Sequence, residues 1–227
     1  LDFSASTIGL TVNLGLNVGQ AQSIAQDVSL ALTGDFASVF GSEAADIIIG
    51  TPLAEKIFGG GGDDDINGGG GNDELGGDAG NDSLWGGDGN DIISGGDGDD
   101  IINSGTGNDD VSPGPGDDQT TTGDGATIRQ DNVDSFFDVF VNSGVGDTLD
   151  LSGSPQGVEL HTSLTDVAQQ ASAGAAFLRF DNPFSKVIGT GFDDLFRVTP
   201  GTNNAPTEIS GGTGSDTVLI TADPATT

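Results

Sequence analysis

The chain has 227 residues, with 36 acidic against 5 basic side chains, a formal net charge of -31, 40 glycines and no cysteine, methionine or tyrosine. The missing cysteines exclude a disulfide framework, a thiolate metal site and a thiol nucleophile. The charge repels nucleic acid and anionic membrane surfaces, and no apolar run approaches the roughly 20 residues of a transmembrane segment.

The amino-terminal Leu1-Asp2-Phe3-Ser4 has no initiator Met and no basic region. It reads as part of a longer protein rather than as a signal peptide. Residues 1–40 form a leader. It holds a short strand at Val12-Asn-Leu14, and an Ala/Gln-rich stretch, Ser23–Leu32, that fits short helices or short strands.

From Gly41 to Thr121 the sequence divides without insertion into nine blocks of nine residues. Four clear ones are 59–67 (GGGGDDDIN), 68–76 (GGGGNDELG), 86–94 (GGDGNDIIS) and 95–103 (GGDGDDIIN). Block position six reads Asp46, Glu55, Asp64, Asp73, Asp82, Asp91, Asp100, Asp109 and Asp118. Position eight reads Ile48, Ile57, Ile66, Leu75, Leu84, Ile93, Ile102, Val111 and Thr120. Position four is Gly in every block from Gly62 to Gly116. Low hydrophobicity with one sign of charge is the usual composition of disorder. Disorder, however, requires no apolar residue at one phase of nine and no carboxylate at another. The periodicity therefore favours a folded chain whose charge is neutralised by cations, with disorder expected when the cations are absent.

These blocks resemble the Gly-Gly-x-Gly-x-Asp-x-apolar-x nonapeptide of the repeats-in-toxin (RTX) family of calcium-binding repeats. The resemblance implies an all-β fold, a right-handed parallel β-roll (a β-solenoid) with short non-repeat capping segments. Two blocks would make one 18-residue coil, each block giving a tight turn and then a strand over positions seven to nine. Position eight would point inward.

In the family an ion sits between two stacked turns, held by both position-six carboxylates and by carbonyls of positions one to four. The resemblance thus implies Ca2+ at Asp64/Asp82, Asp82/Asp100 and Asp100/Asp118 on one edge, and at Asp73/Asp91 and Asp91/Asp109 on the other. The carbonyl ligands would come from Gly59, Gly61, Gly68, Gly70, Gly77, Asp78, Ala79, Gly80, Gly86, Gly87, Asp88, Gly89, Gly95, Gly96, Asp97, Gly98, Gly105 and Gly107. Asp46/Asp64 and Glu55/Asp73 are less complete, because blocks 41–49 and 50–58 lack the inner glycines. Pro113 and Pro115 interrupt the last upper turn. Five to eight ions are expected in all. Calcium accepts about 6–8 oxygen ligands, carboxylate or carbonyl; zinc would want His or Cys, and magnesium a stricter octahedron.

Burying one apolar side chain per block is worth roughly 1.5–3 kcal/mol. Ordering a residue's backbone costs on the order of 1–2 kcal/mol. Hydrogen bonds and ions must therefore supply the difference. Blocks 41–121 hold 19 acidic residues against the single basic Lys56, so like-charge repulsion opposes folding without calcium.

Residues 122–148 read as a carboxy-terminal cap and connector, with Phe136, Phe137 and Phe140 in a covering segment, Ser135–Val145. Residues 149–227 then begin a second unit. Leu1-Asp2-Phe3-Ser4 recurs as Leu149-Asp150-Leu151-Ser152, and Asp46-Ile-Ile as Asp194-Leu-Phe, a shift of 148. Its leader (149–188) includes Val158-Glu-Leu160 and Asp166–Leu178, and a short degenerate roll (189–219) places Asp194 and Asp216 22 residues apart, where they would stack and hold one more ion.

His161 is the only histidine, and with no cysteine and no identifiable partnered Ser it reads as a strand-edge residue. Acidic pairs are too abundant to mark a glycosidase. Trp85, at position nine, faces outward; it fits a partly buried patch, or a sugar-stacking surface. Asp223-Pro224, a sequence that suggests self-cleavage in some relatives, lies in the tail.

The expected function is a calcium-binding, non-catalytic module of a larger secreted or cell-surface bacterial protein, exported by type I secretion and folding outside the cell, monomeric as a fragment. The alternatives are an adhesin with a glycan partner, or the accessory domain of a secreted enzyme whose catalytic domain lies elsewhere.

Overall fold

A computed structural model describes residues 1–15, 21–25, 28–31, 37–129, 137–142, 146–154, 159–161, 169–171, 176–180, 185–198 and 208–220. All regular structure in these residues is β-strand. Strands stack, in parallel except for the last pairing of one sheet, into two nine-stranded sheets that wind around a common core as a β-solenoid.

One sheet runs Thr11–Asn13, Ile47–Thr51, Asp65–Gly70, Ser83–Asp88, Ile101–Thr106, Gln119–Thr122, Phe137–Asn142, Ala176–Phe180 and Gln169–Ala171. The other runs Ser38–Phe40, Lys56–Gly61, Glu74–Ala79, Ile92–Asp97, Asp110–Ser112, Thr127–Arg129, Thr148–Asp150, Lys186–Ile188 and Glu208–Ser210. Within the repeats each residue pairs with the one 18 positions on, as in Ile48↔Ile66 and Ile57↔Leu75. The chain alternates between the two sheets once per block.

The strands are longer than the nonapeptide suggests. Asp65–Gly70 covers positions seven to nine and then one to three of the next block. Glycine has little β-propensity, but here each glycine strand half lies against an identical one above and below, as in Gly69↔Gly87 and Gly87↔Gly105. Tertiary pairing extends the strand where local preference would end it.

The core is a double file of position-eight side chains. Val12, Ile48, Ile66, Leu84 and Ile102 line one sheet, and Val39, Ile57, Leu75, Ile93, Val111, Ile128 and Leu149 the other, all buried. Outward positions are polar or half-exposed. Phe40 stacks on Phe58 at 5.5 Å between ring centroids, and Arg129 makes a two-pronged contact with Asp110 at 2.6 and 2.8 Å.

The long repeat is visible in the pairing. The Asp2↔Phe40 bridge recurs as Asp150↔Ile188, and Thr11↔Ile47 recurs as Glu159↔Leu195. The Thr148–Asp150, Lys186–Ile188 and Glu208–Ser210 strands continue the second sheet directly, so the stack runs on from the first unit into the second. Glu159–His161, Leu195–Val198 and Thr217–Ile220 form a separate three-stranded sheet. Phe137–Asn142, expected within a cover, is a rung with neighbours on both sides, Gln119–Thr122 and Ala176–Phe180. The Ala/Gln-rich stretches contain strands, Ala21–Ala25 and Val28–Ala31 in an antiparallel hairpin, and Gln169–Ala171 antiparallel to Ala176–Phe180. Phe136 and Asp223-Pro224 lie outside the described residues.

Candidate metal centre

The turns between strands place position six at the two long edges of the roll. Asp64, Asp82, Asp100 and Asp118 line one edge, and Asp73, Asp91 and Asp109 the other; each is at most 2% exposed. One carboxylate oxygen of each is fixed by the backbone. Asp64 Oδ1 accepts the Asp46 amide at 2.7 Å, Asp82 Oδ1 that of Asp64 at 2.7 Å, and Asp100 Oδ1 that of Asp82 at 2.8 Å. Asp118 Oδ1 accepts the Asp100 amide at 2.8 Å. On the other edge Asp73, Asp91 and Asp109 accept from Glu55, Asp73 and Asp91 at 2.8, 2.8 and 3.0 Å.

The second oxygen is the informative one. Oδ2 of Asp64, Asp73, Asp82, Asp91, Asp100 and Asp109 is buried and accepts no hydrogen bond. A buried carboxylate oxygen without a partner costs kilocalories, because its hydration has been removed and nothing replaces it. Burial raises Asp64 and Asp100 to about 7 and Asp73 to about 6, with the stacked carboxylates above and below pushing the same way and the backbone amides opposing. Burial likewise raises Asp82 and Asp91. The arrangement presents unneutralised negative charge to a small, oxygen-lined space.

Glycine makes that space. Position-one Gly59, Gly68, Gly77, Gly86 and Gly95 each lie under the carboxylate of their own turn, where a Cβ would strike Oδ2. Position-four Gly80, Gly89, Gly98 and Gly107 have φ between +133° and +142°, and a Cβ on any of them would meet the carbonyl of the matching glycine one coil earlier. Position-two Gly60, Gly69, Gly87, Gly96 and Gly105 are also left-handed, and Asp78, at the same position, is the one non-glycine with positive φ among the described residues, at 73°. Position three is open: a Cβ on Gly61 or Gly70 would find its nearest atom at 3.4 or 3.6 Å. Among the carbonyls implied as ligands, those of Ala79, Asp88 and Asp97 already accept one amide each, from Gly62, Gly71 and Gly80 at 2.8–2.9 Å.

On the outer rim, position five makes a second ladder running the opposite way. Asn81 donates its amide to Asp63 Oδ1, Asp99 to Asn81 and Asn108 to Asn90, at 2.8–2.9 Å. Among the described residues, no three His, Cys, Asp or Glu side chains converge on one point. Carboxylates come in stacked pairs, so a cation between two turns would complete its shell from backbone oxygens. That donor set is hard and all-oxygen, which suits calcium.

The profile of the RTX calcium-binding nonapeptide repeat matches in four copies, over residues 40–75, 49–84, 76–111 and 85–120. Residues 40–120 are an array of RTX calcium-binding repeats. No curated protein matches the chain as a relative. The buried Oδ2 atoms recur within the RTX array, and two of its nonapeptides make one coil of the stack.

Three position-six residues behave differently. Asp46 Oδ2 accepts the Ser42 amide at 2.6 Å, and its Oδ1 accepts the Leu10 amide and the Ser42 hydroxyl at 2.6 and 3.0 Å. Glu55 is held by the amide of Thr51 at 3.1 Å and by its hydroxyl. Asp194 takes the Thr190 amide and hydroxyl at 2.7 and 2.8 Å. The predicted Asp194/Asp216 stack forms, with the Asp194 amide donating to Asp216 Oδ1 at 3.1 Å, but Asp216 is exposed. Position six and the inner glycines stand out in the sequence, whereas the hydroxyl at position two does not run through the blocks. Asp147, fully buried on the far side of the array, falls outside the nine-residue phase; it accepts the Ala126 amide at 2.9 Å and the Thr122 hydroxyl at 3.2 Å.

Proposed function

We propose that this region is a calcium-triggered folding module of a larger secreted or cell-surface protein, unfolded by its own charge where calcium is scarce and folded outside the cell. The observation that carries the reading is the row of buried, unpartnered Oδ2 atoms on Asp64, Asp73, Asp82, Asp91, Asp100 and Asp109. Each needs a positive partner, and none is supplied among the described residues: basic groups near the array, such as Lys56 on Glu74 and Arg129 on Asp110, lie on the outer faces.

Three ions on one edge, between Asp64, Asp82, Asp100 and Asp118, and two on the other, between Asp73, Asp91 and Asp109, satisfy the array. Bound calcium supplies charge neutralisation and a bridge between consecutive turns. The chain does the rest. Oδ1 stays on the backbone amide and so fixes the carboxylate plane, the glycines keep the space clear, and the position-eight file holds the coils in register.

Because such ions bind only the folded chain, each adds RT ln(1 + [L]/Kd) to stability. Affinities of about 10⁻⁴–10⁻³ M, usual for extracellular calcium modules, give a switch between a cell interior and its surroundings. In this reading the chain has no catalytic centre, and any activity resides elsewhere in the parent protein. Circular dichroism in EDTA and then in millimolar calcium tests the proposal: β-signal is expected to appear with calcium, and a signal identical in both would refute it.

A second reading rests on Trp85. It is half-buried on the outer face, in register with Asn67 on one side and Asn103 on the other. An indole flanked by amides on a flat sheet suits a sugar ring. A glycan array without calcium-dependent binding would remove it.

A further inference from the structure

We infer that the roll contains two kinds of turn, and that the turns at 41–46, 50–55 and 189–194 are closed by their own hydroxyl and take no ion. This rests on the calcium reading above and divides the position-six residues within it.

The closed turn recurs three times with the same bonds. The position-two amide donates to one carboxylate oxygen, from Ser42 to Asp46 at 2.6 Å, from Thr51 to Glu55 at 3.1 Å and from Thr190 to Asp194 at 2.7 Å. The position-two hydroxyl donates to the other oxygen in all three. That hydroxyl in turn accepts the amide of position four, from Ala44 at 3.2 Å, Leu53 at 3.1 Å and Phe192 at 3.0 Å. Every oxygen of the carboxylate thus has a donor within its own turn. A cation there would have to compete with these donors for the same oxygens, whereas an open turn offers an oxygen with no donor.

The open turns lack each part of this device. Their position two is Gly60, Gly69, Asp78, Gly87, Gly96 or Gly105, without a hydroxyl and with positive φ. The closed turns have no positive φ at position two. Backbone direction and side chain change together: a left-handed position two turns its amide away from the carboxylate, as Gly96 does in donating to the Pro113 carbonyl at 3.1 Å. Oδ2 is then left for an ion.

The placement follows a rule. Closed turns are the first on each edge, 41–46 ahead of Asp64 and 50–55 ahead of Asp73. Asp147 closes the far end of the second edge, where Ala126 interrupts the carboxylates and Thr122 supplies the hydroxyl. Both ion files thus begin, and the second also ends, on carboxylates satisfied by the protein. The structure assigns Asp46, Glu55 and Asp194 as hydrogen-bond acceptors rather than calcium ligands, and position two as the residue that decides between the two.

Native mass spectrometry at saturating calcium counts the ions. The wild-type chain is expected to bind five, three and two on the two edges. Reopening the first turn by Ser42→Gly with Ala44→Gly, which restores glycine at positions two and four, is expected to add one, between Asp46 and Asp64. Six or more ions on the wild type would overturn the inference, as would a folded Ser42→Gly/Ala44→Gly variant with the wild-type count. If that variant fails to fold, the wild-type count alone decides. No ion on the wild type would instead defeat the calcium reading itself.

Discussion

Asp82→Asn separates the carboxylate's role as an ion ligand from its role in the backbone ladder. Asparagine keeps an oxygen where Asp82 Oδ1 accepts the Asp64 amide at 2.7 Å, and leaves the Asp82 amide on Asp100 Oδ1 at 2.8 Å. It removes the charge that faces two intervals, Asp64/Asp82 and Asp82/Asp100. At about 10 mM free calcium and a Kd of about 0.1–1 mM, each site adds about 1.4–2.7 kcal/mol. Loss of two sites therefore costs about 3–5 kcal/mol in calcium. Without calcium the sign differs. Burial penalises the Asp82 charge, and Asp63 and Asp78 repel it, so the amide is no worse than the acid it replaces. Urea unfolding followed by circular dichroism in 10 mM calcium reads the first arm, and the residual β-signal in EDTA reads the second. The expected result is a large loss in calcium and none in EDTA. An equal loss in both would show that the side chain is a structural hydrogen-bonding group and would refute the assignment.

Further outcomes follow from the same geometry. Gly98→Ala places a Cβ on the Gly80 carbonyl at φ +137°, whereas Gly61→Ala, at open position three, is expected within about 0.5 kcal/mol of wild type; thermal melts in calcium should rank them in that order. Ile66→Ala, in the fully buried file, is expected to cost about 2–5 kcal/mol by denaturant unfolding in calcium. In EDTA, burial holds the folded-state carboxyls of Asp64, Asp100 and Asp73 above their unfolded value, so the folded chain binds more protons. Ion-free stability should then rise as pH falls from about 7 towards 4 and be lost as it rises through 6–7; β-signal that grows with pH in EDTA would contradict this. Calcium binding near pH 6–7 should release protons, which an unbuffered titration detects directly.

Position eight, position six and the 18-residue coil were legible in the sequence because each rests on a strict phase, and the structure pairs the strands in that register. The glycine half of each strand was not legible, because local propensity opposes an extended run of glycines and only the coils on either side hold it. The missing inner glycines mark the Asp46 turn as less complete than the Asp64 turn, but not what closes it. Both occupy position six, and what separates them is four residues earlier, where Ser42 can reach the carboxylate and Gly60 cannot. That signal was present as a hydroxyl in place of glycine. Its meaning needed the bonds. Phe137–Asn142 carries too little of the repeat to announce itself as a rung, since its pairing is set by the strands on either side.

The most direct measurement is an anomalous difference map from crystals grown in calcium, with data collected where calcium scatters anomalously. Peaks are predicted between the stacked carboxylates of Asp64, Asp82, Asp100 and Asp118 and of Asp73, Asp91 and Asp109, beside each buried Oδ2. A map with no peak along either edge, in a chain that still forms the roll, would contradict the account.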